Sequence, residues 1–188
     1  MSGGDGGAGP FLYVVVCAAG VAAGVGELID AAHTEGWRVG VVATPTALGF
    51  LDLPAVERRT GFPVRSALRR PGEPKPLPPA DAVLASPATF NTVNKWAAGI
   101  SDTLALGILC EAPGLGTPTA VQPCLNAAQA AHPAYPASLA VLRSMGVLIG
   151  GQPPMGGKEI GGANAFDWTG PLALLRPTLA THLHRPER

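Results

Sequence analysis

The chain has 188 residues, 25 glycines, 20 prolines, only 14% charged residues and a formal charge of zero. That length suits one domain, and the apolar composition can bury a sizeable core with little charged surface, which favours a subunit that buries faces in an oligomer. There is no electrostatic footing for nucleic acid; three cysteines (Cys17, Cys110, Cys124) exclude a fully paired disulfide framework and fit a reducing compartment, and no CxxC or Cys/His spacing marks a metal site.

Residues 1–10 are Gly-rich without a basic n-region and read as a flexible leader, with residues 11–188 as a single domain. Phe11 to Cys17 (FLYVVVC) is a continuous apolar run, as expected of a strand buried on both faces. The wider apolar stretch to Val25 is too short to span a bilayer, so a cytoplasmic protein with no membrane partner is expected. A helix follows from about Ala23 to Glu35, then a second strand from Trp37 to Ala43. Thr44-Pro45-Thr46 starts another helical segment, Ala55 to Thr60 forms a short helix, and Pro63 to Arg65 is a candidate third strand.

Arg70 to Pro79 carries five prolines and can be neither regular helix nor central strand. A strand is expected over Ala80 to Ala85, ending at Ser86-Pro87, then a helical region from Ala88 to about Glu111 with a break near Gly99. Thr117 to Gln122 is a fifth strand, Ala134 to Met145 a helix with Pro136 in its first turn, and Val147 to Ile149 a sixth strand. Gly150 to Ala165 reads as a mobile loop that could serve as a substrate lid. Trp168 to His182 is a last helix that Pro177 bends or splits. This alternation implies an α/β fold: a three-layer Rossmann-like (flavodoxin-like) parallel sheet with helices on both faces.

In such sheets ligands sit beyond the carboxyl ends of the strands. Here those ends are Ala18-Ala19-Gly20, Thr44-Pro45-Thr46, Ser86-Pro87 and Gln122-Pro123, all carrying small, hydroxyl or amide residues. The small residues of the Cys17–Gly24 turn, Gly20 and Gly24 among them, would let backbone N–H groups approach a phosphate, or would serve strand–helix packing. No acidic residue ends the second strand, as a dinucleotide site would want for a ribose hydroxyl. Thr44 and Thr46 stand there instead, able to bond a phosphate or ribityl chain, with Thr46 equally readable as a helix cap. This favours a mononucleotide such as FMN. Ser86, Thr89, Asn91 and Thr92 crowd one helix start, more than capping requires, and an Asn side chain suits the polar edge of an isoalloxazine. Lys95 reads as a solvated helix residue or an anion partner, and Asp102 as a cap for the next helix or a site carboxylate.

These residues resemble the homo-oligomeric flavin-containing cysteine decarboxylases, which include phosphopantothenoylcysteine decarboxylases and the peptidyl-cysteine decarboxylases of epidermin-type and cypemycin-type peptide biosynthesis. Pro87-Ala88-Thr89-Phe90-Asn91-Thr92 stands in the place of the family's PASANT-like motif, continued by Lys95, Gly99 and Asp102. The run from Pro123 through Cys124, Leu125 and Asn126 to His132-Pro133 holds the register of its Pro-x-Met-Asn motif. The resemblance covers roughly Phe11 to Gly150. It implies FMN bound between subunits of a homotrimer, with trimers packing into dodecamers. It implies cofactor contacts from Gly20, Val21, Ala22, Thr44 and Thr46, and flavin contacts from Ser86, Pro87, Ala88, Thr89 and Asn91. It implies that Asn126 meets the substrate carboxylate; Cys124, Leu125 and Met155 are further substrate-binding candidates.

Three departures refine this. Pro71 to Pro79 lacks the family's catalytic His, Gln129 and Ala130 replace its Met-Trp pair, and Gly150 to Ala165 lacks the Cys that the coenzyme A branch carries. The branch that leaves an enethiol product fits better: FMN-dependent oxidative decarboxylation of a C-terminal peptidyl cysteine in ribosomal peptide natural-product biosynthesis, the partner being a peptide ending in Cys. The alternatives are an FMN-binding protein without decarboxylase activity (a partner subunit or redox carrier) and an atypical phosphopantothenoylcysteine decarboxylase. Among the histidines, His132 lies nearest the crevice and is the candidate base, or else organises a helix start. Cys124 is a candidate reactive thiol or a small buried hydrophobe, and Cys17 and Cys110 read as core. Met155-Gly156-Gly157-Lys158-Glu159 is a lid candidate or a disordered loop.

Overall fold

The computed structural model of the protein describes residues 9–151, 153–155 and 166–183. Most of the expected leader and loop, and His184, lie outside the described residues. Five parallel strands, β1 (Phe11–Val16), β2 (Arg38–Ala43), β3 (Ala82–Ala88), β4 (Thr119–Pro123) and β5 (Leu148–Ile149), form one sheet in the order β2-β1-β3-β4-β5. The helices are α1 (Val25–Thr34), α2 (Leu53–Thr60), α3 (Phe90–Ala97), α4 (Leu104–Gly114), α5 (Ala127–Ala130), α6 (Ala134–Ser144) and α7 (Gly170–Leu183), with 3-10 turns at Ala22–Gly24 and Pro45–Phe50.

The sheet separates two apolar cores, as parallel sheets covered on both faces require. On one face Leu12, Val14, Val16 and Leu84 meet Leu28 and Ile29 of α1 and Leu172 and Leu175 of α7. On the other, Val15, Val83 and Val121 meet Trp96 of α3, Leu109 of α4 and Leu142 of α6. The α/β three-layer expectation is met. Asp81 ties the start of β3 to that of β1: its Oδ2 accepts the Phe11 N–H (2.7 Å) and its own N–H donates to the Phe11 carbonyl (2.8 Å).

Four expectations need correction. There are five strands among the described residues, not six: Arg65 makes only a single bridge to Val42, beside prolines and Gly61 that give the segment no length to extend. β3 does not stop at Ser86 but runs through a cis Ser86–Pro87 peptide to Ala88, its register to β4 shifting between Ala85 and Ala88. Pro87 has no N–H for the ladder, but its carbonyl accepts from Cys17 N–H (3.1 Å), so the backbone is still used. The expected helix from Ala88 starts instead at Phe90, with Thr89 as N-cap, and is parted from α4 by Gly99 at φ +71°. Helix α7 is not split: it continues through Pro177.

Candidate cofactor and substrate site

The strand ends are stitched together by backbone bonds beyond the ladder. Thr44 N–H donates to Val16 (2.9 Å), Cys17 N–H to Pro87 and Cys124 N–H to Ala88 (2.8 Å). This aligns the loops after β2, β1, β3 and β4 around a cleft of about 660 Å³, a size ordinary for cofactor sites. Its position matches the switch between β1 and β3, where this sheet order reverses direction.

One wall is backbone and small residues. Ala18, Ala19 and Gly20 follow β1, and a Cβ placed on Gly20 would meet nothing within 4 Å. Thr44 and Thr46 follow β2. Thr44, not Thr46, holds the N-cap position of the 3-10 turn, and it makes no side-chain capping bond. Both hydroxyls therefore stand at the cleft without a capping role. Thr89, Phe90, Asn91 and Thr92 line the cleft from the first turn of α3. Thr89 Oγ1 accepts the Thr92 N–H and sits 3.1 Å from the Thr92 hydroxyl, fixing that turn.

The opposite wall comes from the end of β4: Cys124, Leu125, Asn126 and Gln129, with Met155 beside them. Asn126 and Gln129 form a reciprocal capping box: Asn126 Oδ1 accepts the Gln129 N–H (2.8 Å), and Gln129 Oε1 accepts the Asn126 N–H (3.2 Å). With its oxygen so used, the Asn126 amide offers its Nδ2 donors to a ligand. Met155 N–H donates to the Leu125 carbonyl (2.8 Å), pinning the segment after β5 against this wall.

Several expected contact residues lie beneath the cleft rather than in it. Val21, Ala22, Ser86, Pro87 and Ala88 are buried and do not line it. His132 is exposed and also absent from the lining. Its Nδ1 accepts the Ala134 N–H (3.1 Å) and its ring meets Phe90 edge-on, a place at the entry to α6. His33 is exposed in the last turn of α1. Of the alternatives open for these two charges, a lone solvated Lys95 and a capping Asp102 are corrected. Lys95 and Asp102 form an ion pair (2.5 Å) on the cleft wall, and Thr103, not Asp102, caps α4 by accepting the Leu106 N–H. Opposite charges seven residues apart across the Gly99 break were the available signal. Cys110, expected in the core, is partly exposed.

The lining's titratable side chains among the described residues are Lys95, Asp102 and Cys124. Burial, with the Cys17 thiol nearby, pushes Cys124 up to about 11. Cys17 is raised as well, chiefly by burial, against hydrogen bonding from the Thr92 side chain and Thr89 backbone. Both thiols are held protonated near neutral pH.

The family model described as Flavoprotein matches residues 10–169. The chain belongs to the Flavoprotein family. The Flavoprotein chain is 28% identical over 160 residues to the coenzyme A biosynthesis bifunctional protein CoaBC of Escherichia coli (strain K12), covering 82% of this chain and 38% of that protein. It thus spans well under half the length of the curated relative it matches. Among solved structures it is similar to the cypemycin decarboxylase CypD (TM-score 0.71, 19% identity, covering 92% of this chain and 95% of that one). It is also similar to the FMN-dependent cysteine decarboxylase TvaF from thioviridamide biosynthesis (TM-score 0.70, 21% identity, covering 91% and 98%). The fold of these structures is the fold of this Flavoprotein chain. Its cleft fits a flavin by its own geometry: small residues where a phosphate must approach backbone, free hydroxyls on β2's end, and an Asn amide at α3's start.

Proposed function

We propose that the protein is an FMN-dependent decarboxylase of a C-terminal peptidyl cysteine, leaving a peptide aminoenethiol. The observation that carries this reading is the placement of Asn126 across one cleft from Thr89 and Asn91. One wall suits a flavin, and the other presents amide N–H donors where a substrate carboxylate would dock. FMN, when bound, supplies the two-electron oxidation that removes two hydrogens from the cysteine CβH2–SH unit. A carboxylate β to the resulting C=S bond loses CO2 readily, because the electron pair left behind is taken up by sulfur as an enethiolate.

What the chain's own residues contribute is binding and exclusion. Thr44, Thr46 and the backbone near Gly20 would hold the phosphate, and Thr89 and Asn91 the ring system. The Asn126 amide would orient the carboxylate, and Leu125, Leu106 and Met155 would supply apolar walls that keep water from the enethiolate. The protonated Cys124 thiol adds no competing negative charge. The homotrimer, and dodecamers of it, remain part of this proposal, since sharing FMN between subunits would complete a cleft that one chain leaves open.

The test is mass spectrometry of Cys-ending peptides after incubation with the FMN-loaded protein. Product lighter by CO2 and two hydrogens is expected. A yellow protein that turns over no such peptide would instead support a non-catalytic flavin carrier. Turnover of phosphopantothenoylcysteine alone would favour the coenzyme A reading, to which the CoaBC similarity points.

A further inference from the structure

A second space adjoins the cleft and has a different chemistry. It is a groove of about 260 Å³ whose floor is Tyr13, Val42, Leu77, Leu104 and Ile108, and whose rim carries Arg65, Arg69 and Lys75. Basic residues concentrate here. Arg65, Arg69 and Lys75 line it, and among the described residues no acidic residue does. Arg65 donates to the Ala67 carbonyl (3.1 Å) and Arg69 to the Glu73 carbonyl. Those acceptors are neutral backbone, so they leave both guanidinium charges uncompensated and further N–H donors available. The Glu73 carboxylate accepts the Arg70 backbone N–H instead (3.0 Å). Among the described residues no ion pair joins Arg65, Arg69 or Lys75 to a carboxylate.

Neighbouring residues of the same segments line the groove and the cleft. Val42 of β2 lines the groove, and Thr44, two residues on and just past the end of β2, lines the cleft, roughly 7 Å away along the chain. Leu104 of α4 faces the groove while Thr103 and Leu106 face the cleft. A chain whose last residue sits in the cleft can therefore lay its preceding residues across an apolar floor under three cations.

We infer that this groove is a specificity subsite for an acidic segment of the peptide substrate, with carboxylates roughly two to four residues before the reacting cysteine, the reach of an extended chain. The inference rests on the peptidyl-cysteine reading. It assigns to Arg65, Arg69 and Lys75 a role in selecting substrate and none in the chemistry. Charged rims of this kind act through affinity and association rate, and are weakened by salt.

The experiment compares two pairs of peptides, ending in Cys for turnover and in Ser for binding alone. Within each pair, Glu or Gln stands at the second to fourth positions before the terminus. The proteins are the FMN-loaded native chain and its Arg65→Gln/Arg69→Gln/Lys75→Gln variant, with flavin absorbance and circular dichroism as checks of folding. In the native protein the Glu peptides are expected to bind roughly tenfold tighter than the Gln peptides, with the difference shrinking at high salt. In the variant, KM for the Glu peptide should rise to that for the Gln peptide while kcat stays unchanged. Equal affinity for both peptides in the native protein overturns the inference, even if both are decarboxylated. Salt-sensitive binding of the Ser-ended Glu peptide, lost in the variant, upholds the subsite even if no peptide is turned over, in which case the decarboxylase reading alone fails. A change of oligomeric state in the variant with peptide affinity unchanged would make the groove a contact between copies, and would also overturn it.

Discussion

In the proposed reading, Asn126 does two jobs with one amide. Its Oδ1 caps the short helix α5, and its Nδ2 is left for a ligand. The two can be separated. Asn126→Asp keeps the capping oxygen but replaces the donor with a charge that would repel a carboxylate. Its melting temperature should stay near that of the native protein while kcat/KM for a Cys-ending peptide falls roughly 10- to 100-fold, the range for hydrogen bonds to charged groups. Asn126→Ala should lose both activity and about 1 kcal/mol of stability. Cys124 makes a pH prediction. Its thiol is pushed from the usual 9.0 up to about 11 in the folded chain, chiefly by burial. The folded state therefore favours the protonated form. The contribution to stability is whole below pH 9 and is lost as pH rises from there through about 11. Denaturant midpoints should decline over that window, less steeply in Cys124→Ala, and alkylation of Cys124 should remain slow at pH 8.

At the scale of elements, the site depends on how closely β2 and β1 approach. Gly40 lies where a Cβ would stand 2.8 Å from the Phe11 ring and 3.2 Å from Leu77. Phe11 cannot readily swing away, since it is buried between the rings of Tyr13 and Phe62 with Arg38 over its face. Gly40→Ala should cost about 1–3 kcal/mol by overpacking, visible as a lower urea midpoint with an unchanged slope. The Phe11–Cys17 run is too continuously apolar to be anything but a doubly covered strand. The Ser86–Pro87 step departs from the sequence expectation for a physical reason. A proline ends a strand when its missing N–H must serve the ladder, but here the register shift removes that demand.

At the scale of the whole molecule, the cleft is assembled from four separate strand ends, so ligand binding should stabilise the fold as a unit. FMN at one hundred times its dissociation constant would add about 2.7 kcal/mol, which for a domain of this size raises the melting temperature by roughly 5–10 °C. A thermal shift of the FMN-free protein on titration with FMN, with riboflavin giving a smaller shift, checks the phosphate role given to the β1 and β2 ends. The sequence alone determined the layer order, the mononucleotide character of the site and the cluster at Thr89 to Thr92, because strand patterning and residue chemistry are local properties. It also marked Asn126 in motif register. The tertiary structure alone decided which of these side chains reach open space. Ser86, Pro87 and Ala88 are buried beneath the cleft, His132 is drawn to a helix entry, and Lys95 meets Asp102 across the Gly99 break. Those outcomes depend on where α3, α4 and α6 pack on the sheet, and on the direction each side chain takes from its helix, which a linear pattern does not carry.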